Sequence, residues 1–418
     1  MAKKARRFDK FSAVRGEILA QKALLFGQAL RIGYHTVFLG EESDVRRVWC
    51  NRIAAVFLSV VLLWGIMPVS ATDPTATDAL RARLWESLAS SATVIDLSDL
   101  SVTPAALREI YLAVLQDDPA LFYVAPRLSY AVSGDGTRAT AVYPAYAVAG
   151  EELVSAQALY RDTVAGLADE VEETFAEHPR TDAEAVLLVH ELLAERYDYD
   201  MRGMEGAGGN IDAYTLFRDG VGVCQAYAMA AIAVLRALGM EADLVTSAVM
   251  DHAWVHVRVG ELWYHVDVTR DDPVTSLPNG TPGGASGSAG LVTHTRVLRS
   301  DAGMRALGYR DYSCAGGHVC ADGRYENSAA MAALGEMTAP LRPVSVGKGS
   351  GLVWLGENAR GEVCPLLVTE EGIALDEPWD IDGDGAVTLG DLLLVSDDTL
   401  PQAWKARLRK QLIERREE

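Results

Sequence analysis

Residues 220–268 constrain the fold more than any other part of this 418-residue sequence. Gly220-Val221-Gly222-Val223 leads into a helical pattern that runs from Cys224 to about Leu238. Strand-like runs follow at Ala242–Ser247, Ala253–Val259 and Trp263–Val268. A helix followed by antiparallel strands is an α+β arrangement, with the helix packed on one face of the sheet.

The same unit carries a candidate chemistry. Cys224 opens the helix, where free backbone N–H groups favour a thiolate and can bind an oxyanion. Gly220 and Gly222 permit the sharp entry that exposes the sulfur. His252 and Asp267 follow at intervals that put each on a different element. In that arrangement His252 takes the thiol proton and returns it to a leaving group, while Asp267 holds the imidazole tautomer.

Taken singly, Cys224 reads as a small buried thiol, His252 as a strand-edge histidine and Asp267 as a turn acid. Only the set of three argues for catalysis. His256 falls inside a strand and reads as packing. His265 lies two residues before Asp267, hence on the same side of a strand, and is expected to support the site. Gln225 and Tyr214 are candidates for the oxyanion region. Cys224, His252, His265 and Asp267 as zinc ligands form a separate reading, but no Cys-x-x-Cys or His-Glu-x-x-His motif accompanies them.

Three ordered blocks, Val223-Cys224-Gln225-Ala226-Tyr227-Ala228, His252-Ala253-Trp254 and Trp263-Tyr264-His265-Val266-Asp267-Val268-Thr269 through Asp271-Asp272-Pro273, resemble the transglutaminase-like core of the papain-type thiol superfamily. The resemblance covers about residues 100–330. It implies a helix bearing the Cys, antiparallel strands bearing His and Asp, and an acyl-enzyme mechanism that needs no cofactor. The sequence departs from that pattern at Val255, where Asn is usual, and at Arg270, where Trp is frequent. Neither departure removes a member of the triad.

Around this core the chain divides into a basic extension (1–52), an apolar segment (53–71), a helical and β-hairpin subdomain (73–150), the core (151–335), a small β element (340–375) and a C-terminal segment (376–418). Helical patterns cover about 76–92 and 103–117, the second with Leu107, Ile110, Tyr111 and Val114 on one face. A Gly134-Asp135-Gly136 turn joins the hairpin runs 127–132 and 139–143. An acidic amphipathic helix spans about 150–177, and Thr181-Asp182-Ala183-Glu184 is a capping-box signature before a helix carrying His190. Residues 278–290, rich in Gly, Ser and Pro, read as a loop. Cys314 and Cys320 flank a Gly-containing loop, and the sequence leaves open a disulfide or two thiols.

The net charge of −20 argues against a nucleic-acid partner. Residues 1–52 are the exception, with eleven Lys/Arg against five Asp/Glu, and the uncharged run Ile53–Met67 follows directly. A positive flank, a short apolar run and the small residues Val69 and Ala71 match a secretory signal cleaved after Ala71, or an uncleaved anchor, the only reading that brings in a membrane. An extracytoplasmic protein, secreted or at the cell surface, is therefore expected.

Near the C-terminus Asp380, Asp382, Asp384, Ala386, Thr388 and Asp391 occupy the ligand positions of a twelve-residue calcium loop, with Gly385 at the sharp turn. Asp391 stands where Glu is usual. The loop resembles one half of a dockerin, which implies structural Ca2+ and a cohesin-type scaffold as partner. Dockerins normally carry two such loops, and 396–418 holds no second one.

The functional expectation is an exported thiol enzyme acting on amide bonds of a peptide or protein, a peptidase or amidase. The alternatives are a protein-crosslinking transglutaminase, a processor of peptidoglycan peptides, and a non-catalytic surface or scaffold binding protein.

Overall fold

The computed structural model describes residues 35–36, 74–204, 209–272, 292–326, 330, 341–345, 352–357 and 363–375. The apolar run 53–67, the loop 278–290 and the calcium-loop positions Asp380, Asp382, Asp384, Ala386, Thr388 and Asp391 lie outside them. Among the described residues, no helix is long and apolar enough to cross a membrane. The chain divides into two compact units, meeting in sequence at Ala149 and Gly150.

In the first unit β1 (His35–Thr36), β2 (Ile95–Asp96), β3 (Val124–Val132) and β4 (Ala139–Tyr146) form an antiparallel sheet of order β1-β3-β4-β2. Two helices accompany it, α1 (Pro74–Ala89) and α2 (Pro104–Asp117). Thr103 caps α2 by accepting from Ala106 N, and Leu107, Ile110, Tyr111 and Val114 are buried, the face that the periodicity picks out. The β3–β4 turn is closed by Asp135, which accepts from Ser133 Oγ and Thr137 N.

The second unit is built on two buried helices. Before them runs α3 (Gly150–Thr174), shorter at its C-terminus than the periodicity suggests. Thr181 and Glu184 then cap α4 (Asp182–Arg196) reciprocally: Glu184 N donates to Thr181 Oγ1 and Thr181 N to Glu184 Oε2. β5 (Asp198–Tyr199) pairs in parallel with β6 (Val221–Gly222). Between these strands lie α5 (Met201–Met204) and α6 (Ala213–Asp219).

Helix α7 (Cys224–Ala237) comes next, with Ala226–Leu235 buried without interruption. Such a helix belongs inside a core, and its many alanines let neighbours approach closely. Buried Ile232 and Leu235 each contribute about 1.5–3 kcal/mol by leaving water. β7 (Ala242–Ser247), β8 (His252–Val259), β9 (Leu262–Val266) and β10 (Ser313–Cys314) form the antiparallel sheet β10-β7-β8-β9. The short helices α8 (Val268–Asp271) and α9 (Asp301–Ala306) follow β9 in sequence. A last antiparallel sheet comprises β11 (Arg342–Ser345), β12 (Leu352–Glu357), β13 (Val363–Thr369) and β14 (Gly372–Leu375). Cys314 and Cys320 are unpaired thiols.

Candidate active site

Cys224 is the first residue of α7 and is partly exposed. Two glycines shape its approach. Gly220 closes α6 in the left-handed region at φ 75°, and a Cβ on Gly222 would meet Ala226 Cβ at 2.7 Å. The chain therefore reaches Cys224 by a path that favours glycine at 220 for its backbone angle and leaves no room for a side chain at 222. Val223, the N-cap, offers no side-chain hydrogen bond to the helix, so its first N–H groups keep no side-chain acceptor.

His252 begins β8, just after Asp251, which takes the left-handed φ of 49° in the preceding turn. Its Nε2 lies 2.6 Å from Asp267 Oδ2, and Cys224 is within hydrogen-bonding reach of the ring. Burial disfavours charge on His252, but Asp267 and Cys224 outweigh that effect and push its pKa up to about 9. Asp267 is fully buried. Burial opposes its charge too, yet His252, Tyr309 and the Arg270 N–H hold it below the usual carboxylate range.

The carboxylate of Asp267 is positioned by chain direction as well as by partners. Strand β9 ends at Val266, and Asp267 becomes the N-cap of α8, accepting from Arg270 N at 3.2 Å. Tyr309 Oη donates to the same Oδ2 that faces His252. The Tyr309 ring meets Trp254 edge-on at 5.0 Å, and Trp254 stacks on His252 at 5.6 Å and 24°. His252 is thus clamped on its face by Trp254 and at Nε2 by Asp267.

His265 and His256 pair across β9 and β8, and neither is bonded to the thiol. His265 Nδ1 accepts from Trp254 Nε1 at 2.8 Å, and its Nε2 donates to Asp301 Oδ1 at 3.1 Å. It holds the tryptophan that clamps His252, so its support is indirect. His256 lies against it with Nε2 3.0 Å from His265 Nδ1, and burial next to a second imidazole lowers its pKa to about 3. Cys320 lies close to these two rings, but the Trp254 and Asp301 hydrogen bonds already occupy both nitrogens of His265. The four-residue zinc reading finds a different use for its members: His252 faces Asp267, and His265 faces Trp254 and Asp301. Tyr214 lies on α6 beneath the Arg218 guanidinium, 5.3 Å from its ring centroid, and Gln225 is partly exposed beside Cys224.

A second buried network anchors the segment after Asp267. Glu191 on α4 takes His190 Nδ1 at 2.9 Å and His294 Nε2 at 2.7 Å on one oxygen, and Leu341 N at 2.7 Å on the other. Asp271 accepts from Arg296 Nη1, Arg296 N and Thr293 Oγ1, with His190 Nε2 3.4 Å away. Tyr227 on α7 donates to Asp272 Oδ2 at 2.6 Å, and burial pushes that carboxyl up to about 7. These contacts tie the Cys helix, α4 and the Asp267 turn into one body.

A buried imidazole–carboxylate pair and a thiol at a helix start thus stand together on a mixed α+β core. Residues 169–268 match the Transglutaminase-like superfamily core, a segment that includes all three residues. No curated protein matches the chain. Among solved structures, the chain is similar to a TGase at 14% identity, covering 36% of this chain and 45% of that one, with a TM-score of 0.26. A candidate cysteine protease from Cytophaga hutchinsonii matches at 15% identity over 45% of this chain and 70% of that one, with a TM-score of 0.21. A candidate protease from Parabacteroides distasonis matches at 13% identity over 32% and 34%, with a TM-score of 0.20. The chain spans less than half the length of the TGase.

Proposed function

We propose that this protein is an extracytoplasmic thiol enzyme that cleaves amide bonds of peptides or proteins through an acyl-enzyme on Cys224. The observation that carries the reading is the buried His252–Asp267 pair at 2.6 Å with Cys224 in reach of the same imidazole. Extracytoplasmic placement draws on the basic flank and the apolar run Ile53–Met67.

In this mechanism Cys224 Sγ, its proton held by His252, attacks the carbonyl carbon. The oxyanion is met by N–H groups at the start of α7, with Gln225 the nearest, in a position where preorganised donors are most effective. Collapse breaks the C–N bond, and the His252 proton goes to the leaving amine. Water then attacks the thioester carbonyl, gives a proton to His252 and releases the acid with the thiol restored. Asp267 keeps the ring oriented and offsets its charge throughout. If an amine replaces water, the same thioester yields a crosslink, which is the transglutaminase alternative.

The test is to incubate wild type and Cys224→Ala with peptides, glutamine donors plus an amine, and wall fragments, and to weigh both products and protein. A Cys224-dependent acyl adduct with a hydrolysed product is expected. Products that persist in Cys224→Ala, or a wild type that acylates with none of these donors, would sink the proposal. Calcium at Asp380–Asp391 is a separate structural proposal, checked by calorimetric titration against an Asp380→Ala, Asp382→Ala variant.

A further inference from the structure

Arg270 sits three residues after Asp267 and is partly exposed. Its backbone is fixed at both ends: the N–H donates to the Asp267 carboxylate, and the carbonyl accepts from Arg296 Nη1 at 3.0 Å. Its guanidinium lies over the Tyr309 ring, 4.8 Å from the centroid, on the residue that holds the Asp267 carboxylate. Among the described residues it makes no ion pair, although the chain carries 58 Asp and Glu against 38 Lys and Arg.

The two acids nearest to it in sequence are engaged elsewhere, Asp267 by His252 and Tyr309 and Asp271 by Arg296 and Thr293. Tyr309 places the free charge beside the triad: its ring, beneath the guanidinium, lies 6.1 Å from the His252 ring, and its hydroxyl holds the Asp267 carboxylate that faces His252.

A partly exposed guanidinium on an aromatic face with its donors uncommitted is suited to a planar carboxylate, which it can hold with two parallel hydrogen bonds. We propose that Arg270 forms a carboxylate-binding subsite beside Cys224, selecting acyl donors with a carboxylate close to the scissile amide. This rests on the thiol-enzyme reading and adds the substrate class to it. Arg270 is a specificity residue and takes no part in proton transfer.

The probe is the pair iodoacetate and iodoacetamide, which alkylate the same sulfur and differ by one negative charge. Rates at Cys224 are read by mass in wild type, Arg270→Gln and Arg270→Lys near neutral pH and low salt, with iodoacetamide as the internal reference. The iodoacetate-to-iodoacetamide ratio is expected to fall about threefold or more in Arg270→Gln, as for one cation within several ångströms of a partly solvated site. Arg270→Lys should keep most of it, and added salt should shrink the wild-type ratio. An equal ratio in wild type and Arg270→Gln overturns the subsite. The ratio can be read at any thiol reactivity, so a sluggish wild-type Cys224 counts against the enzyme reading alone.

A second arm distinguishes the source of the carboxylate. Glu-containing peptides with amidated ends, and neutral peptides with free C-termini, compete against iodoacetamide. Arg270-dependent protection by the first assigns a side-chain carboxylate, and by the second a terminal one. Protection by neither beyond that of neutral, amidated peptides overturns the proposal.

Discussion

Tyr309 Oη donates to Asp267 Oδ2, the oxygen that also receives His252 Nε2. Two donors on one oxygen divide its charge, so Tyr309 moderates how tightly Asp267 holds the imidazolium proton. In Tyr309→Phe the carboxylate is more basic, and His252, already raised to about 9, loses its proton at higher pH. The alkaline limb of a kcat/KM profile should move up, with a fall of about tenfold at neutral pH from the lost charged hydrogen bond. A purely structural role for Tyr309 would lower the folded fraction and leave that limb in place.

Asp267→Asn tests the other side of the pair. Asn keeps the shape and the oxygen that accepts from Arg270 N but removes the anion, and burial, the largest influence on His252, then lowers its pKa from about 9 with only Cys224 left to oppose it. Turnover should fall by about a thousandfold or more, as for carboxylate-to-amide changes in other triads. Retention of the wild-type rate and pH limb would mean that Asp267 does not act on His252.

The approach to Cys224 gives a contrast between two glycines. A Cβ at Gly222 meets Ala226 Cβ at 2.7 Å and Leu216 Cδ1 at 2.9 Å, so Gly222→Ala must shift the first turn of α7. It should cost about 1–3 kcal/mol and slow alkylation of Cys224. At Gly220 the space is open and only the φ of 75° resists a side chain. Gly220→Ala should cost about 1–2 kcal/mol by denaturant titration while leaving the alkylation rate of the folded protein near that of wild type.

What the sequence makes legible here is local. Two glycines before a cysteine, an alanine-rich helix and alternating strands each announce themselves within a few residues, and the order of His252 and Asp267 follows from the strand pattern. The Thr181–Glu184 capping box is likewise a four-residue signal, and it forms. Tyr309 carries no such signal: it lies 42 residues beyond Asp267, across residues with no strand pattern, and only the folded path brings its hydroxyl to that carboxylate. Arg270 is visible in sequence as a departure from Trp, but its seat on Tyr309 is not. Glu191 is harder still, since its partners His294 and Leu341 lie 103 and 150 residues away.

That Glu191 network makes the last prediction, a stability profile with a defined sign at each end. Burial opposes charge on His190, but Asp271 and Glu191 prevail and raise its pKa to about 10 from 6.5. A raised pKa gives stability that is complete below 6.5 and is lost as pH climbs through 10. Burial likewise opposes charge on Glu191, and His294 and His190 lower its pKa to about 2 from 4.5. Its contribution is complete above 4.5 and is lost as pH falls through 2. The network should therefore stabilise most between pH 4.5 and 6.5, weakening on both sides, as read by urea unfolding across pH. Glu191→Gln leaves the His190 charge buried with one partner fewer and should cost about 3–5 kcal/mol. It should also flatten the alkaline decline, because His190 then has less to lose on deprotonation. A variant as stable as wild type with the same pH profile would mean that the Glu191–His190 pair does not hold the turn after Asp267.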